Sequence, residues 1–292
     1  MRVKYRGPLL IAVTAVLWSS AGVLIKLVPW DAMTIVGLRS LFAAAVMAIY
    51  MRRPRITFSK PVIMGGLSLS ATMALFIFAN KLTTAANAIV LQYTSPIFVI
   101  LLSPLLLKKR PQALDIAAVG IVFAGVTLFF LDQLRADALL GCVLGVVSGF
   151  TFAGVFIANK MPDAKPEEAT LLGYLINIVV CAPFIATSVT LDAVPWLAIA
   201  LLGIFQLGIP YVMFSVGIKT TPPITACLIA ALEPLLNPIW VMIATGERPG
   251  AYAVIGGSIV LATVVAYNIL SVRRSRMEAE LPALETDKAS IL

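Results

Sequence analysis

A chain of 292 residues that is 60% hydrophobic and only 12% charged, with a mean hydropathy of +1.00, does not describe a water-soluble globular domain; it describes a membrane protein. It has no histidine, which removes the commonest general base, proton shuttle and metal ligand at once. The formal charge of +8 raises the question of a polyanionic partner, which the distribution of that charge answers.

Crossing the hydrocarbon core takes ~20 mostly apolar residues. Runs of that kind recur at 8–27, 33–51, 61–80, 85–107, 113–131, 138–159, 169–190, 195–217, 223–244 and 251–271, predicting ten transmembrane helices. The first follows basic residues but lacks a cleavage site and is expected to stay as a helix. The second carries Arg39, the third Phe76 and Asn80, and the fourth Gln92, Tyr93, Pro96 and Pro104. The fifth is the shortest, with 16 uncharged residues between Asp115 and Asp132. Gly141, Gly145 and Gly149 form a GxxxG series in the sixth, a pattern that marks close helix packing. The eighth holds Tyr211 and Phe214, and the ninth, "IAALEPLLNPIW", sets Glu233, Pro234 and Pro238 in an apolar run. A polar tail over 273–292 is too short to be a domain. Alternating strands of a membrane barrel are absent from this pattern, and Cys142, Cys181 and Cys227 all fall inside predicted helices, so neither a disulfide framework nor a metal site is expected.

With the N-terminus in the cytoplasm, 17 of the 22 Lys and Arg residues collect on the cytoplasmic side, four lie opposite, and Arg39 lies within a helix. The positive-inside rule then puts both termini in the cytoplasm, and the basic balance needs no nucleic acid. Long loops and a Walker-type phosphate loop are both missing, so nucleotide hydrolysis by this chain is not expected.

At an offset of 138, residues 81–113 align with 219–251: Lys81 with Lys219, Thr83 with Thr221, Pro96 with Pro234, Arg110 with Arg248. "AGVLI" (21–25) aligns with "AGVFI" (153–157), which pairs Trp18 with Phe150. The chain therefore reads as two five-helix repeats, 1–135 and 136–272. Five is odd, so the second copy must be inverted. The loop "KKR" (108–110) is strongly basic where this topology puts it inside, and its partner "GER" (246–248) is nearly neutral outside. Inverted repeats of this kind are a signature of secondary transporters.

"LEPLLNPIWVMIATGERPGAYAVIGGSIVLATVVAYN" (232–268), "AVLWSSAGVLIK" (15–26) and "GLRSLFAAAV" (37–46) resemble the drug/metabolite transporter superfamily, and more narrowly its EamA-type ten-helix exporters. The overall look is most similar to the YddG-type amino-acid exporters. The resemblance implies an all-α transporter, without cofactor, that exports small molecules across the bacterial inner membrane. Small four-helix relatives couple export to protons through a glutamate in their first helix, whereas the first helix here has Thr14, Trp18, Ser19 and Ser20 and no acid.

Aromatic and amide residues at helix depth, Trp18, Phe76, Asn80, Gln92, Tyr93, Phe150, Tyr211 and Phe214, are the expected lining of a substrate cavity, rings packing a side chain and polar groups orienting a zwitterion. Pro96, Pro104, Pro234 and Pro238 each free a carbonyl one turn back, marking kinks that serve gating. Glu233 is expected to be a structural intramembrane acid, either ion-paired with Arg39, the one buried-looking cation, or held as a hydrogen-bonded carboxyl; the functional alternative is a site for a substrate ammonium or a proton. Export of amino acids by alternating access is the leading reading, with other metabolites or drugs as the alternative. A membrane-embedded enzyme lacks a nucleophile with its base, and two full repeats make a monomer workable.

Overall fold

The computed structural model describes residues 2–26, 28–83, 88, 91–129, 131, 139–189, 192–236 and 250–289. The elements in order are α1 (Arg2–Trp18), α2 (Ala21–Lys26), α3 (Ala32–Met51), α4 (Lys60–Leu82), α5 (Ser95–Leu106), α6 (Ala113–Phe129), α7 (Leu139–Ala158), α8 (Pro166–Ser188) and α9 (Ala193–Leu201); a π-helical turn (Leu202–Gly208) joins α9 to α10 (Ile209–Thr220), and α11 (Pro223–Ala230) and α12 (Ala251–Ala289) complete the set. Among the described residues six apolar helices are long enough to cross a membrane and four shorter apolar ones accompany them, matching the ten crossings. The starts follow local chemistry. Asp31 caps α3 by accepting from the Met33 and Thr34 amides at 2.8 and 3.1 Å, and prolines open α4 and α8 where their missing N–H is not needed.

The helices pack by a rule that reveals the architecture. α1 lies on α10, and α7 lies on α4; α5 packs on α7, and α11 on α1; α4 packs on α8, and the π-helical turn on α3. Each contact in these pairs is the other with the repeats exchanged. The α3–α8, α6–α12 and α5–α11 contacts map onto themselves. An exchange that carries every helix to its counterpart and back is a two-fold rotation. Because each repeat crosses five times, that axis lies in the membrane plane and the two copies are inverted, the arrangement of secondary transporters. The outward faces are greasy, with Ile49 and Leu105 each 76% exposed and Val179 73%, as a lipid-facing surface requires.

Glycines set the closest approaches, because little apolar gain separates helix–helix from helix–lipid contact and backbone proximity must supply it. Gly7 of α1 meets Thr220 and Thr221 at the end of α10; its counterpart Gly141 of α7 meets Leu82 and Thr83 at the end of α4. Thr83 and Thr221 are the pair matched by the 138-residue offset. Trp30 is buried and packs edge-on against Trp196.

A methyl group at Gly141 would lie 2.8 Å from the backbone of Leu82 and Thr83, whereas one at Gly120 would meet nothing within 4 Å. Gly141→Ala is therefore expected to cost about 1–3 kcal/mol, and Gly120→Ala to be neutral or better, in thermal denaturation of the detergent-purified protein.

Candidate functional site

Four spans are interrupted near their middle. α1 stops at Trp18 and resumes at Ala21; the fourth span turns at Tyr93 and Thr94 before α5; α11 ends at Ala230 and the chain is helical again over 232–236 after a turn at Ala231. The eighth span widens into the π-helical turn. Proline explains three of these. Pro96 has no N–H for the Gln92 carbonyl, Pro234 none for that of Ala230, and Pro210 none for that of Gln206. Tyr93 and Ala231 are themselves 138 residues apart, so the breaks of the fourth and ninth spans obey the two-fold.

The interruptions surround one aromatic cluster. The Trp18 ring lies 4.9 Å from Tyr211, 5.7 Å from Phe214 and 6.2 Å from Phe152. Phe156 joins it through Phe152 at 4.8 Å and Phe214 at 5.5 Å, and Tyr174 through Tyr211 at 6.0 Å. All six rings are buried. Polar atoms are threaded through it. The Gln206 amide donates to the Trp18 carbonyl at 3.3 Å, while among the described residues its own oxygen, the Trp18 indole N–H and the Arg39 Nε–H have no partner. Arg39 reaches the same region because Gly203 lets the π-helical turn sit against its backbone carbonyl, and Tyr211 feels its charge.

Tyr93 bridges the halves: its hydroxyl is 2.9 Å from the Ala230 carbonyl, the one released by Pro234, and 2.8 Å from Glu233 Oε2. Of the two structural arrangements expected for Glu233, the pair with Arg39 is not formed and the hydrogen-bonded carboxyl is. Among the described residues the ion pairs are Lys165–Glu168 and Lys219–Glu167, both at the face carrying the termini. Tyr211 lies within electrostatic reach of both Arg39 and Glu233.

Other expected site residues divide. Tyr211 and Phe214 are central. Gln92 is buried but donates to Ser148 at 2.9 Å, within a hydrogen-bonded seam that includes Thr72 and Thr151 and joins the fourth span to α4 and α7. Asn80 donates back to the Phe76 carbonyl at 2.9 Å, and Phe76 makes no ring contact with the cluster among the described residues. Pro96 and Pro234 are buried, Pro104 is exposed, and Pro238 lies outside the described residues.

Phe150 is a correction: it is 47% exposed and packs on Phe98 on the outside. The first helices of the repeats correspond at an offset of 134, as Gly7 with Gly141 shows, so the counterpart of Trp18 is Phe152. A register slip of two residues turns a helix by about 200° and moves the ring from core to lipid. Of the residues missed, Gln206 had a visible signal, being the only amide in the apolar run 193–214. Tyr174 had none.

At the termini face, Lys160 donates to the Lys219 carbonyl at 2.9 Å and Lys219 pairs with Glu167. Burial, then the charge of Lys109, lowers the Lys160 pKa to about 8. Its protonated form is thus disfavoured in the folded state; the penalty is complete below about 8 and is relieved as pH rises toward the ordinary value of 10.5. Lys160→Gln is expected to flatten the dependence of Tm on pH across that window.

Interrupted helices in both halves of an inverted repeat, around a cluster at mid-depth, define a membrane transporter of small molecules. The EamA-like transporter family model matches the chain twice, over residues 5–131 and 139–269, and the chain belongs to that family. An uncharacterized transporter of Archaeoglobus fulgidus is 28% identical over 265 residues, covering 89% of this chain and 95% of the relative. The threonine/homoserine exporter RhtA of Salmonella typhimurium is 24% identical over 264 residues, covering 86% and 85%. A solved crystal structure superposes with a TM-score of 0.77 at 17% identity, over 90% of this chain and 98% of that one.

The register correction is testable. Phe152→Ala is expected to cost about 3–5 kcal/mol, and Phe150→Ala to stay within ~0.5 kcal/mol, in the same denaturation assay.

Proposed function

We propose that this protein exports amino acids and similar small organic solutes across the bacterial inner membrane by alternating access, with both termini in the cytoplasm. One observation carries the reading. Two donors, Trp18 Nε1 and Arg39 Nε, and one acceptor, Gln206 Oε1, are buried without partners around a single aromatic cluster. An orphaned polar group inside a protein costs about 1–3 kcal/mol, so a complementary ligand is favoured. A zwitterion matches: its carboxylate accepts from the two donors, its ammonium donates to Gln206, and the rings take its side chain. The positive charge of Arg39, with no ion pair among the described residues, is neutralised by the same carboxylate. The likeness to a threonine/homoserine exporter supports the substrate class.

The relevant frame is the inverted two-fold. Trp18, Gln206 and Glu233 fall at the middle of their spans, 8–27, 193–220 and 223–244, the depth that rocking of one half against the other exposes alternately to each side. Export of other metabolites or drugs is the second reading, favoured by an aromatic cluster that would accept many amphiphiles.

Counterflow into proteoliposomes loaded with unlabelled amino acid, following labelled phenylalanine, methionine and threonine, tests the proposal; saturable, competable uptake is expected. Competitors lacking the carboxylate or the ammonium should compete poorly, and their equal competition would favour the second reading. Trp18→Phe and Gln206→Leu each remove one hydrogen bond to a charged group, about 1.5–3 kcal/mol, and are expected to raise the half-saturating concentration about tenfold or more.

A further inference from the structure

We propose that Glu233 is a proton-binding site that carries a proton while the broken helices of the two repeats are in contact, as they are here, and releases it when they part; this rests on the transport reading above. Counting hydrogens leads to it. The Ala230 carbonyl has lost its helical donor to Pro234, and Tyr93 Oη at 2.9 Å replaces that donor. The same hydroxyl lies 2.8 Å from Glu233 Oε2, yet it has a single proton. With an ionised carboxylate, one hydrogen faces two acceptors, and either the carbonyl or the charge is left short in a low-dielectric interior. With a protonated carboxyl the chain closes: Glu233 O–H donates to Tyr93 Oη, and Tyr93 O–H donates to the Ala230 carbonyl.

The surroundings agree. Among the described residues no cation lies within ion-pair reach of Glu233. The titratable groups acting on the pair are Tyr211 of α10 and Cys227 of α11. Arg39 of α3 acts on Tyr211, and Tyr267 of α12 is engaged by Asp115 of α6 at 2.7 Å. An ionised Glu233 here would be a charge held mainly by one phenol.

The geometry also ties the proton to motion. Tyr93 stands at the break of the fourth span and Glu233 two residues past the break of the ninth, one in each repeat. Movement of one repeat against the other separates them. The Ala230 carbonyl and the carboxyl then meet water, the carboxyl O–H bond breaks, and its proton passes to water while both bonding electrons stay on the carboxylate. Uptake on one side of the membrane and release on the other, opposite to solute, makes the carrier an antiporter.

Two assays separate this from the transport reading. In proteoliposomes, wild type is expected to show counterflow and, with an imposed gradient of one pH unit, up to about tenfold solute accumulation for one proton exchanged. Glu233→Gln, whose amide N–H takes the place of the carboxyl O–H, should keep counterflow within a few-fold and lose the gradient response. Tyr93→Phe, which opens the chain, should shift the pH at which wild-type counterflow is half-maximal. Independently of any substrate, infrared spectra of the purified protein at neutral pH should contain the C=O stretch of a protonated carboxyl that Glu233→Gln removes. A gradient response that survives in Glu233→Gln, or a wild type without one, overturns the proposal, as does a carboxyl band unchanged by the substitution. Absence of amino-acid counterflow in wild type defeats the transport reading, and the infrared band then decides the proton site alone.

Discussion

In hydrocarbon there is no water to rescue an unpaired carbonyl, and the middle of this protein is organised around that constraint. Proline at 96, 210 and 234 withdraws a donor from the helix one turn before it, in three spans that meet near mid-depth. The best-resolved repair is the Tyr93 hydroxyl on the Ala230 carbonyl, a bond between a helix of one repeat and a helix of the other. A backbone bond from residue 234 to that carbonyl would have carried the helix rigidly through the break. Replaced by a side chain from the opposite repeat, it becomes a contact that relative motion of the repeats can make and break.

The two-fold does the rest of the positioning. It brings α1 against α10 and α7 against α4, so the Trp18 ring and the Phe152 ring arrive at the same cluster from opposite repeats. Small residues decide how near the helices come: Gly7 and Gly141 place α1 and α7 against the ends of α10 and α4, and Gly203 brings the π-helical turn onto α3 beside Arg39. Exact symmetry is not kept at the centre. The acid at Glu233 has Ser95 at its repeat position, and the π-helical turn has no counterpart in α4. An aromatic cluster bordered by one cation and one acid that are not paired with each other is a product of that departure. Symmetric halves supply two equivalent conformations, and asymmetric side chains supply a directional chemistry within them.

The sequence by itself determined the class of molecule, the ten crossings and the inversion, because hydrophobic length, repeat offset and loop charge are one-dimensional quantities. It also marked Pro96 and Pro234 as breaks, since the missing N–H is a property of the residue alone. It led astray wherever the answer depended on the angle around a helix. Phe150 and Phe152 are equally aromatic and two positions apart, yet about 200° of rotation sends one to lipid and the other to the core. Only the tertiary structure could decide that Glu233 meets Tyr93 and not Arg39, that Gln92 is spent on Ser148, and that Tyr174 and Gln206 border the cluster. Those are choices among partners that a membrane's uniform greasiness leaves open in sequence, and packing closes them by placing one polar atom within 3 Å of another.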